Sequence, residues 1–102
     1  MTARVERGEG AVPTPAEVEA SMRAQGLRPR RWGNGPGDRY SWHSHDYHKV
    51  LHCVSGSIVF HTETDGDLEL RPGDRLDLDP GTEHAATVGD AGVECVEAAR
   101  RG

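Results

Sequence analysis

Residues 37–56 read GDRYSWHSHDYHKVLHCVSG, and residues 73–84 read GDRLDLDPGTEH. Alternate side chains of an extended strand share one face, so the spacing of His43 and His45 predicts that both imidazoles project to the same side. His84 follows a tight turn in the second stretch, and a β-barrel can bring a residue from a distant strand to the same interior point. Three neutral imidazoles suit Zn, Cu, Fe or Ni. The two stretches therefore predict a metal site formed by His43, His45 and His84.

Both stretches also resemble the two sequence motifs of the cupin superfamily. The first motif has a Gly, five residues, His-x-His, three or four residues, a Glu, six residues and a Gly. This chain places at those positions Gly37, His43-Ser44-His45, Lys49 and Gly56. The second motif resembles the stretch from Gly73-Asp74 to Pro80-Gly81-Thr82-Glu83-His84. The resemblance implies an all-β fold, an antiparallel double-stranded β-helix (the cupin or jelly-roll barrel), with one metal ion held inside by the motif histidines.

The chain departs from the family pattern at three positions. Asp79 stands where the second motif has Pro, with Pro80 one place later, and Val88 replaces its final Asn; both are tolerable turn or packing changes. Lys49 takes the place of the usual Glu ligand and is the only lysine of the chain. Three interpretations of Lys49 stay open. It extends from the barrel mouth into water, it binds an anionic substrate beside the metal, or it replaces the metal as a base or Schiff-base amine.

Other side chains near the motif histidines are candidates for lesser roles. Three of them flank the ligand positions and are either packing or rim residues at the mouth of the pocket or candidate substrate contacts: Arg39, Tyr40 and Tyr47. The remaining three histidines are interpreted as surface or interface residues: His48, His52 and His61. Three carboxylates are candidates for hydrogen bonding to the ligand imidazoles: Asp46, Asp77 and Glu83.

Composition limits the classes of partner. A chain of 102 residues is long enough for one domain, and its net charge of −5 disfavours nucleic acid and anionic membranes. The hydrophobic content of 34% is low, so we expect a homodimer to add burial. Cys53 and Cys95 fall in predicted strands without CxxC spacing and are expected to be buried free thiols. No signal-peptide core or membrane-length apolar run is present, which predicts a cytoplasmic protein.

The order of elements predicts a helix followed by a barrel. Residues 1–13 are charged and aperiodic, which predicts a mobile N-terminal arm that could still dock as an edge strand, and residues 14–102 form the single cupin domain. Thr14 and Glu17 predict a capping box for a short helix from Pro15 to Gln25. Strands are expected at about 39–45, 48–54, 57–63, 67–70, 75–78, 84–88 and 92–98. The Pro-Gly pairs within residues 71–74 and 79–82 predict type II turns that close hairpins.

Two functions are compatible with these observations. The first is a metal-dependent enzyme for a small anionic metabolite, either dioxygenase-like with a redox metal or a Lewis-acid isomerase or lyase. In that enzyme Lys49 is the candidate catalytic residue, and the cofactor is one divalent transition metal (Fe, Zn, Ni, Cu or Mn). The second is a non-catalytic small-molecule-binding or sensor cupin, metal-free if Lys49 displaces the ion. The sequence leaves open whether the chain is an enzyme.

Overall fold

Seven strands and one helix make up residues 2–100, the part of the chain that the computed structural model describes. In chain order they are β1 (Ala3–Glu6), α1 (Pro15–Ala24), β2 (Arg30–Asn34), β3 (Arg39–His43), β4 (His48–Thr62), β5 (Gly66–Leu70), β6 (Arg75–Leu78) and β7 (His84–Arg100). Every strand pair recorded for these residues is antiparallel. The predicted all-β class with one short N-terminal helix is therefore confirmed.

The strands β4 and β7 pair with each other from end to end and organise the barrel. His48 lies opposite Arg100 at one end, and Thr62 lies opposite His84 at the other. The first half of β4 also pairs with β6 and its second half with β5. The first half of β7 pairs with β3 and its second half with β2. The two long strands are thus shared by two sheets, one containing β1, β6 and β2, the other containing β5 and β3.

A bend in the middle of β4 and β7 allows this sharing. The sequence predicts two short strands in each region, whereas the structure has one continuous strand with register shifts near Gly56. Gly56 has φ +71°, and a Cβ atom at this position would lie 2.0 Å from the carbonyl oxygen of Gly92. Only glycine fits such a close approach in this conformation. The final Gly of the first motif therefore marks the bend of the barrel.

The two Pro-Gly turns form as predicted, but they do not close hairpins. Gly73 has φ +97° and Gly81 has φ +79°, as the third position of a type II turn requires. The amide of Asp74 donates to the carbonyl of Arg71 at 3.0 Å, which closes the first turn. Within residues 2–100, β5 pairs with β4, and β6 pairs with β1 and β4. Each turn therefore carries the chain from one sheet to the other, and the hairpin expectation is wrong.

The N-terminal helix begins as the capping box predicts. The amide of Glu17 donates to Thr14 Oγ1 at 3.1 Å, and the amide of Thr14 donates to Glu17 Oε1 at 3.0 Å. The buried side chains of Val18 and Met22 pack in a cluster with apolar residues of β4 and β7. The helix ends one residue before the predicted end, with Gln25 as its C-cap. It is not long or apolar enough to cross a membrane.

Part of the predicted arm is a strand. Residues Ala3–Glu6 form β1, which pairs with β6 at the edge of its sheet. The short strand β2, in contrast, was not predicted. The division into an arm of residues 1–13 and a domain of residues 14–102 stays a prediction, and Met1, Arg101 and Gly102 lie outside the described residues.

A second core cluster, to which both sheets contribute, fills the barrel interior.

Candidate metal and ligand site

The fold brings the three predicted ligands together. His43 ends β3, His84 begins β7, and the pairing of these strands places the two residues opposite each other. His45 follows β3 in the connection to β4. One potential ligand atom from each residue lies within 4.8 Å of those of the other two. Among residues 2–100, this is the one group of three or more such side chains with metal-binding spacing.

Backbone carbonyls fix the orientation of two of the imidazoles. The Nδ1 atom of His43 lies 2.6 Å from the carbonyl oxygen of Ser41, and Nδ1 of His84 lies 2.8 Å from that of Thr82. A carbonyl only accepts hydrogen bonds, so each Nδ1 carries the proton and donates it. This tautomer leaves the lone pair of Nε2 available to a metal ion. For these two rings, backbone carbonyls make the orienting contacts for which carboxylates were candidates.

The third imidazole carries an unpartnered nitrogen. Nε2 of His45 is buried and has no hydrogen-bond partner among the described residues. An unsatisfied buried polar atom costs on the order of 1–3 kcal/mol, so such atoms are rare without a function. A metal ion bound at Nε2 would satisfy this atom. The trio therefore fits a divalent transition metal on its own geometry.

The environment of His45 and His84 favours the neutral form of the imidazole, which is the form that ligates metals. Burial lowers the pKa of His45, and the positive charge of Lys49 lowers it further. Burial also lowers the pKa of His84, which is only 2% exposed, against the opposing effect of the Thr82 carbonyl. A lowered pKa means that a proton is released more readily. Both rings are therefore poised as neutral ligands.

The three histidines lie in the wall of a cavity of about 410 Å³, a volume suited to a small molecule. Aromatic and charged side chains form much of the remaining wall: Trp32, Tyr40, Tyr47, Phe60, Arg30, Lys49 and Glu97. Trp32 was not among the predicted site residues. Its indole nitrogen is buried and, like Nε2 of His45, has no partner within residues 2–100. The cavity thus offers one unused N–H donor and one unused imidazole nitrogen.

Lys49 points into this cavity and is paired. Its Nζ atom lies 3.2 Å from Oε2 of Glu97, and each of the two side chains is 12% exposed. Nη2 of Arg30 approaches the other carboxylate oxygen at 3.7 Å. Of the three interpretations of Lys49, extension into water is the one that this burial contradicts. Glu97 was not predicted as a site residue, although it lies on the same inward face of the strand as Val93 and Cys95.

The three predicted substrate contacts are placed differently. The Tyr47 ring stacks on His45 with centroids 4.9 Å apart, and the Tyr40 hydroxyl donates to the side-chain carbonyl of Asn34. Burial raises the pKa of Tyr40. Both tyrosines line the cavity, whereas Arg39 is exposed and is not among the lining residues. The structure therefore brings Tyr40 and Tyr47 to the site and leaves Arg39 outside it.

The other histidines lie outside the trio. Nε2 of His48 lies 2.8 Å from Oδ1 of Asp77, the carboxylate that the sequence analysis considered for a metal-ligating imidazole. His61 bridges Asp67 and Thr87 at 2.8 and 2.9 Å. Burial lowers the pKa of His52. None of these three belongs to the metal-spaced group found in residues 2–100.

Comparison with known proteins supports the same architecture. A double-stranded β-helix protein from Klebsiella pneumoniae is 23% identical, with a TM-score of 0.62 over 72% of this chain and 65% of that one. A cupin-2 domain protein from Shewanella frigidimarina is 17% identical, with a TM-score of 0.63 over 74% and 71%. At such low sequence identities, the structural similarity shows that this chain shares their fold. The predicted double-stranded β-helix fold is confirmed.

One solved structure is more similar in sequence. A chain from a crystal structure of the DMSP lyases RdDddP and RnDddQII is 31% identical, with a TM-score of 0.69. The alignment covers 76% of this chain but only 40% of that one. No curated protein sequence matches the chain. The model of the AraC-like ligand binding domain matches residues 26–95. Because this match spans well over half of the present chain, the chain belongs to the AraC-like ligand binding domain family, within the cupin superfamily.

Proposed function

We propose that the chain is a metal-dependent enzyme that binds a small anionic molecule in the 410 Å³ cavity. His43, His45 and His84 would hold one divalent transition-metal ion. The observation that carries this proposal is that Nε2 of His45 is buried and has no hydrogen-bond partner among the described residues. In the other two rings of the trio, Nδ1 donates to a backbone carbonyl oxygen, which leaves Nε2 available. When bound, the ion would supply Lewis-acid polarisation of an oxygen atom of the small molecule.

Charge at the site favours an anionic ligand. Three neutral imidazoles leave the full charge of a divalent ion uncompensated, and the opposite charges of Lys49 and Glu97 cancel each other. Arg30 adds a further positive charge at the edge of the cavity. A small carboxylate is therefore a better partner than a neutral or cationic molecule. Tyr40 and Tyr47 line the cavity and would contact it, and the indole N–H of Trp32 could donate to it.

The Lys49–Glu97 pair is the acid–base couple that the cavity offers. A ligand carboxylate that accepts a hydrogen bond from Lys49 Nζ would take over the contact now made by Glu97 Oε2. Glu97 would then be free to accept a proton from the ligand. Elimination and isomerisation both need such a proton transfer. The 31% identity with a DMSP lyase structure supports a lyase, and the dioxygenase alternative has no comparable support.

Metal analysis tests the proposal. We expect about one first-row transition-metal ion per wild-type chain, and its loss in His84→Ala. The matched control is His61→Ala, which removes an imidazole held by Asp67 and Thr87 outside the trio. Full metal occupancy in His84→Ala would refute the assignment. If the wild type is empty while Lys49→Glu holds an ion, Lys49 has displaced the metal and the metal-dependent proposal fails, which leaves metal-free lysine chemistry or ligand binding without turnover.

A second candidate is a sensor that binds its ligand without turnover. The match to the AraC-like ligand binding domain favours it, since that description names binding and no reaction. A sensor releases the small molecule chemically unchanged, whereas an enzyme converts a molar excess of it. Incubation of small carboxylates with the metal-loaded chain, followed by mass analysis of the released molecules, separates the two. The homodimer expected from the low hydrophobic content stays a prediction.

A further inference from the structure

Two buried thiols face each other in the barrel interior. Cys53 on β4 is directly opposite Cys95 on β7, and each residue is 1% exposed. Both are free cysteines and belong to the core cluster between the two sheets. Neither is needed for the proposed metal site.

The backbone contacts of Cys53 show which kind of cross-strand pair this is. Its amide donates to the carbonyl of Asp74 at 3.0 Å, and its carbonyl accepts from the amide of Gly73 at 2.9 Å. Both groups thus point away from β7, because the N–H and C=O of one strand residue project to the same side. In an antiparallel ladder this arrangement defines a non-hydrogen-bonded pair with respect to β7, and the Cα atoms of such pairs lie about 4.5 Å apart.

That separation is compatible with a disulfide bond. Disulfides join residues whose Cα atoms are about 4.4–6.8 Å apart, and side chains approach most closely in non-hydrogen-bonded pairs. The neighbouring Cys95 thiol lowers the pKa of Cys53, and the Cys53 thiol together with burial raises that of Cys95. The Cys53 thiol also lies 3.6 Å from the carbonyl oxygen of Ser55. No large backbone movement is needed to join the pair.

We propose that Cys53 and Cys95 form a reversible intramolecular disulfide when the chain meets a small peroxide. The sulfur of Cys53 attacks one peroxide oxygen, which gives a sulfenic acid and releases the first water. The sulfur of Cys95 then displaces the sulfenic hydroxyl, which leaves with the Cys95 proton as a second water. Two thiols and one hydrogen peroxide thus yield one disulfide and two waters. Because Cys95 lies next to the sulfenic acid, this step precedes further oxidation.

The bond would tie together the two strands that are shared by both sheets. Cys95 is two residues from Glu97 on the same face of β7, and Cys53 is four residues from Lys49 on the same face of β4. The disulfide would therefore join β4 and β7 close to the Lys49–Glu97 pair in the wall of the cavity. It also encloses a long loop of the chain, which restricts the unfolded state.

Intact mass and thiol titration test the proposal on the full chain. After treatment with hydrogen peroxide, we expect a mass lower by about 2 Da and no titratable thiol in denaturant, both reversed by a reducing agent. A peptide containing Cys53 linked to one containing Cys95 identifies the bond. The thermal unfolding midpoint is expected to rise on the order of 10 °C or more upon oxidation.

Single substitutions supply the controls. Cys53→Ser and Cys95→Ser keep a similar volume and cannot form the bond, so neither should show the mass loss or the rise in midpoint. The urea-unfolded wild type shows that the peroxide reacts with both thiols when they are accessible. The proposal is overturned if the folded chain keeps both thiols under those conditions. It is also overturned if the product is a sulfinic acid, a sulfonic acid or a dimer linked through cysteine.

Discussion

Replacement of Glu97 by Gln tests how strongly the cavity depends on its internal ion pair. The substitution keeps the shape of the side chain but leaves the Lys49 ammonium, 12% exposed, without its carboxylate partner at 3.2 Å. We expect the variant to lose stability because a largely buried charge without a counter-charge is costly. The double variant Lys49→Met/Glu97→Gln removes both charges. It should be more stable than Glu97→Gln alone.

The separation of the charges sets the magnitude. At 3.2 Å, Coulomb's law gives about 1 kcal/mol in bulk water and about 5 kcal/mol at an effective dielectric constant of about 20. The pair lines a cavity that admits solvent, so its environment lies between these limits. We expect a coupling free energy of about 2 kcal/mol in the double-mutant cycle. Glu97→Gln itself should lower the free energy of unfolding by about 2–3 kcal/mol.

Urea unfolding with a chelator present measures these free energies without a contribution from bound metal. The matched control is Glu69→Gln, since the Arg71–Glu69 pair has a similar distance of 2.9 Å but side chains that are 71% and 47% exposed. That substitution should change stability by less than about 0.5 kcal/mol. A coupling of Lys49 and Glu97 no larger than this would refute the reasoning, because the buried pair would then behave as a surface pair.

Two further predictions concern stability. Gly56→Ala should destabilise the chain by several kcal/mol more than Gly66→Ala. Both glycines have φ above +70°, but only at Gly56 would the added Cβ collide with backbone, 2.0 Å from the carbonyl oxygen of Gly92. Equal urea midpoints for the two variants would contradict this. Burial raises the pKa of Asp74, but hydrogen bonds from the amides of Arg71 and Gly8 and from the Arg7 side chain outweigh this effect and lower the pKa. The stability that Asp74 contributes is thus present above the ordinary pKa of about 4 and lost as the pH falls through the lowered value. Asp74→Asn should cost about 1.5–3 kcal/mol at pH 7 and flatten the loss below pH 4, and unchanged pH dependence of urea midpoints would argue against this role.

The parts of the fold that could be predicted from the sequence are those set by local geometry. The turns at Gly73 and Gly81 and the capping box at Thr14 each depend on residues within four positions of one another. The strand β4 was divided in two because the sequence near Gly56 looks like a turn, and β7 because residues 89–92 do. Only the pairing of the two strands shows that each stretch is a bend within a continuous strand. The edge strand β1 is four residues long and carries two charges, so its strand character depends on its pairing with β6.

The same distinction applies to the site. The proximity of the three histidines could be predicted because His43 and His45 are two residues apart and His84 has a fixed place in the second motif, although His45 lies in the connection that follows β3. Glu97 was not, since its contact with Lys49 joins positions that are far apart in the chain and becomes visible only when β4 and β7 are aligned. Arg39 was favoured by its closeness in sequence to His43, which does not ensure that a side chain reaches the cavity.

The pairing of Lys49 with Glu97 changes how the missing motif carboxylate should be understood. A carboxylate at position 49 would share its charge with a bound ion, whereas here the cavity carboxylate is on β7 and lies within 3.2 Å of an ammonium group. The cavity therefore still contains a carboxylate, but one whose charge is compensated by Lys49 and not by the metal. If the trio binds a divalent ion as proposed, the charge of that ion would then be met by the bound molecule. It follows that anion binding and metal binding should strengthen each other in this chain, and that Lys49→Glu should weaken this mutual dependence even where it improves metal retention.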